Sequence, residues 1–195
     1  MILLISIFLL LLASFSTLDS SLQFADSADY LPNACDSSYQ ESLVEEMNQK
    51  RSYHQVLNLL LDPNNCYLAQ YVQKMADFLA GKGYRPPRPP IDFSEFYADL
   101  NRSRSAAIEA DEMYHIGDHY PYYGRDPPNA TELKKYIFFT QMIWKASQQV
   151  TFGCSDSGGF RYLVAAFVPP GNVRGQFADN VLRPRHHDEA SETEQ

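Results

Sequence analysis

The chain has 195 residues, with 16 Lys and Arg against 24 Asp and Glu, for a formal net charge of −8. That balance disfavours nucleic-acid backbones and anionic membrane surfaces as partners, because both need concentrated positive charge. Its 45% apolar content suits one globular domain with its own core.

Residues 1–16 carry no charge and run through an apolar stretch to the small residues Ala13, Ser14 and Ser16. This reads as a secretory signal peptide rather than a retained anchor, since a spanning helix needs about 20 apolar residues. Residues 17–40 are rich in Ser, Asp and Ala and form a flexible lead-in, so the domain is expected over residues 41–184. No integral membrane segment is expected after signal cleavage. In the oxidising compartment this implies, Cys35, Cys66 and Cys154 permit one intramolecular bridge and leave one thiol, and the sequence does not choose the pair. Asn101-Arg102-Ser103 and Asn129-Ala130-Thr131 are glycosylation sequons that fit the same route.

From Ser42 to His54, Leu43, Val44, Met47, Lys50, Arg51 and His54 recur at helical spacing, with Glu45 and Glu46 early enough to favour the helix dipole. Asp62 and Pro63 signal a second helix whose apolar face is Leu68, Ala69, Val72, Met75, Ala76 and Leu79, ended by Gly81 and Gly83. Tyr84 to Pro90 holds four prolines and is a stiff extended connector; its other reading is a ligand for an aromatic groove. Ala106, Ala107, Ala110 and Met113 predict a third helix over Ser103–Tyr114.

The aromatic and β-branched run Tyr136–Trp144 predicts a buried strand, with Phe139 and Trp144 in the core. Ser155–Gly159 is turn chemistry, and Phe160–Val168 predicts a second strand. Helices first and strands last give an α+β domain with helices over an antiparallel sheet. Residues 185–195, including His186 and His187, have nothing to bury and should be disordered.

Phe139-Thr140-Gln141-Met142-Ile143-Trp144-Lys145-Ala146-Ser147, then Phe152-Gly153, resembles the "HFTQ…W-K-x-S…G" pattern of the CAP superfamily (cysteine-rich secretory, antigen and pathogenesis-related proteins). Pro169-Pro170-Gly171-Asn172, Phe177, Asn180-Val181 and Pro184 resemble the "PPGN…F…NV…P" ending of its Golgi-associated plant pathogenesis-related branch. Met47-Asn48-Gln49-Lys50-Arg51 with His54 is similar to "HNxxR…H", and Ala69-Gln70 to the "AQ" helix. The resemblance covers residues 42 to about 184 and implies a three-layer α-β-α sandwich with a central antiparallel sheet.

The resemblance also implies a central cleft with two histidines, which bind a divalent metal, and two acidic residues. The histidine positions fall here at Met47 and Phe138, and the acidic ones at Glu95 and Ile116. A thioether and a phenyl ring do not replace imidazole donors, so the expectation is a degenerate, apolar cleft without metal or other cofactor. A relocated metal site could use His115 and His119, four apart and one helical turn from each other, although Gly117 and Pro121 weaken a helix there. The run from Tyr114 to Tyr123 reads either as a binding surface or as an ordered loop.

Function follows as a secreted, noncatalytic binding protein whose partner is an extracellular protein or a sterol or lipid, with no role for nucleic acid. The rival readings are a metal-dependent hydrolase using His115, His119 and Glu95 or Asp118, and a strict lipid carrier whose groove is lined by Met47, Ile116 and Phe138.

Overall fold

The structure, a computed structural model, describes residues 37–62 and 66–185. The signal segment, the lead-in before Ser37, Pro63 and the tail from His186 lie outside the described residues. The elements are α1 (Ser37–Tyr53), β1 (Leu60–Leu61), α2 (Cys66–Leu79), β2 (Ser94–Asn101), α3 (Ala106–His115), α4 (Ala130–Met142), β3 (Gln149–Ser157), β4 (Phe160–Val168) and α5 (Phe177–Asn180). No helix among the described residues is long and apolar enough to cross a membrane.

The sheet runs β1-β3-β4-β2, antiparallel except for the two-residue β1, which lies parallel to β3. Strand β4 shows how one strand serves two cores. Leu163, Ala165 and Phe167 face one side and Val164 and Ala166 the other, as the period of two in a strand dictates. The first side is covered by α1, α3 and α4 through Leu43, Met47, Ala110, Phe139 and Met142. The second is covered by α2 through Leu68, Val72, Met75 and Ala76. The result is an α-β-α sandwich.

Tyr136–Trp144 is not a strand. It is the second half of α4 and the turn after it, because Asn129 caps that helix by accepting a hydrogen bond from Glu132 N (2.9 Å). The last turns are enclosed on every side: Phe139, Thr140, Gln141 and Met142 are all buried, so the helical period is hidden from a sequence reading. β-Propensity lost there to a cap and to tertiary burial. The turn expected at Ser155–Gly159 shrinks to Gly158 and Gly159, both at positive φ, and Ser155–Ser157 extend β3. Strand β2 was not anticipated. Helix α1 starts at Ser37 rather than Ser42, and α3 at Ala106, where Ser105 caps it.

Layer contact is closest between α2 and β3. A Cβ added at Gly153 would overlap the backbone of Val72 and Gln73. Alongside, the buried Gln73 amide donates to Cys154 O (2.8 Å) and accepts from Cys154 N (3.2 Å), supplying backbone partners that β1 is too short to provide. Gly153→Ala should therefore destabilise the fold by about 2 kcal/mol or more, read as a lowered midpoint in thermal or urea denaturation.

Candidate functional site

The residues that carry the motif pattern build a frame. Arg51, fully buried at the end of α1, donates through Nε to Leu57 O (2.7 Å), through Nη1 to Met142 O (2.8 Å) and Trp144 O (3.0 Å), and through Nη2 to Ser147 O (2.9 Å). Ser94 Oγ donates to Gln141 Oε1 (2.7 Å), Gln141 Nε2 to Ser147 Oγ (3.2 Å), and Ser147 Oγ to Pro169 O (2.9 Å). A Cβ at Gly171 would collide with the Gln141 amide, and Thr140 Oγ1 donates to Asn172 Oδ1 (2.6 Å). Asn180 Oδ1 accepts from Ala146 N (2.9 Å). Trp144 is fully buried edge-to-face with Phe177, 5.0 Å between centroids.

His54 is buried as well. Its Nδ1 lies 2.6 Å from Leu182 O and so must bear the proton, which leaves Nε2 to accept from Tyr114 Oη at 3.0 Å. Burial lowers its pKa below 6.5, against a smaller opposing effect of the Leu182 carbonyl.

Inside this frame Met47 of α1 and Phe138 of α4 do come together. They line a cavity of about 10 Å³, closed further by Leu43, Phe96, Met113 and Met142, with room for about one water. The other two predicted positions behave differently. Glu95 lies on the opposite face of the sheet, because β2 alternates and Phe96, not Glu95, turns toward Phe138 in edge-to-face contact. Glu95 instead pairs with Arg88 (3.3 Å) beside Tyr71, whose hydroxyl is pushed up to about 12 by burial first and by this carboxylate second. That ion pair, with Arg88 stacked on Phe93, ties the proline connector to the sheet. Ile116 caps α3 and is half-exposed, one layer outward, in an open groove it shares with Phe138.

His115 and His119 do not share a helix face, since α3 ends at His115. His115 Nδ1 bonds Asp118 (2.9 Å) and its Nε2 faces Asp111 (3.3 Å), while His119 is exposed in the following turn. Among the described residues no group of three or more His, Cys, Asp and Glu side chains could hold a metal ion. His186 and His187 lie outside the described residues. Within the tyrosine run, Tyr120 is buried against Tyr122, Tyr123, Tyr136 and Phe139, so the run forms an ordered aromatic loop over α4. Both sequon residues are exposed, Asn101 at the end of β2 and Asn129 as the α4 cap. Cys154 is disulfide-bonded; Cys35 and the Cys66 side chain lie outside the described residues.

No family model matches the chain. It is 29% identical over 146 residues to protein PRY2 of Saccharomyces cerevisiae, covering 74% of this chain and 41% of that protein. It is 38% identical over 72 residues to a probable pathogenesis-related protein of Arthroderma benhamiae, covering 32% of this chain and 23% of that one. The chain thus spans less than half the length of these curated relatives. Its fold matches the crystal structure of NaASP2 with Zn2+ at a TM-score of 0.52 and 16% identity, over 79% of this chain and 90% of that one. The hookworm platelet inhibitor matches at 0.55 and 12%, over 79% and 80%.

In sequence and in fold the chain is similar to proteins of the CAP superfamily. A divalent metal, the group that resemblance implies, does not fit the cavity lined by Met47 and Phe138. The lining offers thioethers, phenyl rings and aliphatic groups, and its one amide, Gln141, is already held by Ser94 and Ser147.

Two outcomes follow. Arg51→Met would leave the buried carbonyls of Met142, Trp144 and Ser147 short of a donor and should cost at least about 3 kcal/mol in urea unfolding, with Arg51→Lys recovering only part. For His54 the folded pKa lies below the unfolded 6.5, so the unfolded chain binds more protons; its stabilisation is complete above that pH and declines as pH falls through 6.5 toward the folded value. Thermal midpoints should fall over that window, and His54→Gln, which keeps a donor and an acceptor, should flatten the decline.

Proposed function

We propose that this CAP domain is a secreted, noncatalytic binding protein that holds an apolar or amphipathic ligand, a lipid or sterol, against the surface around Phe138. The single observation that carries the reading is the convergence of Met47 and Phe138 on one small apolar cavity, with Phe138 continuing outward into the groove lined by Met113 and Ile116. Neither a nucleophile nor a paired acid and base stands at that point, which argues against hydrolysis there. The uncharged start of the chain and the exposed sequons at Asn101 and Asn129 support passage through the secretory pathway.

An extracellular protein is the other class of partner consistent with this surface, and binding assays separate the two. Purified secreted protein incubated with single-chain lipids should retain ligand in native mass spectrometry. Phe138→Asp should reduce that retention at least about tenfold with an unchanged circular dichroism spectrum, since a half-buried ring is exchanged for a charge in the ligand's path. Zinc held in stoichiometric amount through dialysis, with an activity lost on chelation, would overturn the noncatalytic reading.

A further inference from the structure

Helix α3 places an acid where its sequence calls for an apolar residue. Ala106, Glu109, Ala110 and Met113 form the stripe at i, i+3, i+4 and i+7 that turns toward the sheet, so Glu109 takes a core position. It is 3% exposed and its Oε1 has no hydrogen-bond partner. An orphaned buried carboxylate oxygen is costly, and burial accordingly pushes the Glu109 carboxyl above its ordinary range. The nearby guanidinium groups are engaged elsewhere: Arg104 pairs with Glu112, and Arg161 bonds Asp156 (3.3 Å) and lies over the Tyr39 ring (4.4 Å).

Glu109 lines the open groove between α3 and β2, the last strand of the sheet, which has a volume of about 770 Å³. Its apolar walls are Leu100, Met113, Ile116, Phe138 and Phe160, of which Phe160 is 51% and Ile116 38% exposed. Groups of that kind facing water in a concave site mark a binding surface. The charges of the groove are one-sided, because Asp99, Glu109 and Glu112 are set against Arg104 alone. A carboxylate head group would be repelled, and a neutral one would leave the field unanswered.

We propose that this groove binds a single-chain cationic amphiphile, whose ammonium donates a hydrogen bond to Glu109 Oε1 while its hydrocarbon chain lies against Met113, Ile116 and Phe138. This rests on the reading of the Phe138 surface as a binding surface and adds the head-group chemistry. A primary ammonium supplies the missing donor and neutralises the buried charge in one contact, the arrangement in which a hydrogen bond is strongest.

The test is isothermal titration at neutral pH, below micelle formation, with three probes of equal chain length: dodecylamine, dodecanol and dodecanoate. Native protein should bind dodecylamine at least about tenfold more tightly than either of the others. Glu109→Gln, close in shape, should erase that preference and keep dodecanol binding. Should Glu109→Gln fail to fold by circular dichroism, Ile116→Arg, a change at an exposed position, should weaken dodecylamine and strengthen dodecanoate. Equal affinity for the three probes, or an amine preference that survives in the folded variants, would overturn the assignment to Glu109 and leave the apolar surface standing. Binding of none of them would remove both.

Discussion

A guanidinium offers five N–H donors in a rigid plane and stays charged at neutral pH, so a fold that buries one must arrange oxygens around it. Arg51 is fully buried, and its pKa falls only to about 10 under desolvation, so it remains a cation. The oxygens it finds belong to Leu57, Met142, Trp144 and Ser147. Two of these residues lie at the end of α4 and in the turn beyond it, where the last carbonyls of a helix have no partner of their own. A side chain of α1 thereby terminates α4 and launches β3.

The polar residues of the recognisable motifs have a comparable structural use. Thr140 and Gln141 of α4 hold Asn172 and Ser94, while Ser147 with Pro169 and Ala146 with Asn180 join the turn after α4 to the segment that follows β4. None of them reaches the groove beside Phe138. The polar network and the apolar groove are thus separate parts of the domain, and the groove is where residues can change without loosening the frame.

Aromatic packing decides the shape of that groove. Phe96 and Phe138 meet edge-to-face and close the inner cavity, while Tyr120, Tyr136 and Phe139 seat the tyrosine loop on α4. Gly117 sits so close to the Phe139 ring that no Cβ fits between them, which brings the turn after α3 down onto α4 and leaves Ile116 at the mouth of the groove. Burial of Glu109 on the same helix puts an unpartnered carboxylate oxygen beside the apolar residues Met113, Ile116 and Phe138 of that groove.

The amino-acid sequence by itself determined the α+β class, the apolar faces of α1 and α2, the presence of α3 and the strand at Phe160–Val168, because periodicity is a local property of the chain. It did not disclose that Tyr136–Trp144 is helix and turn, since a helix end enclosed all round has no polar face and its composition then imitates a strand. The side of β2 on which Glu95 lies was also hidden: a shift of one residue in a strand exchanges the two faces, and only pairing with β4 sets that register. The conflict at Glu109 belongs to the tertiary structure as well, because an acid in a helical stripe reads as solvated until the sheet is laid against it.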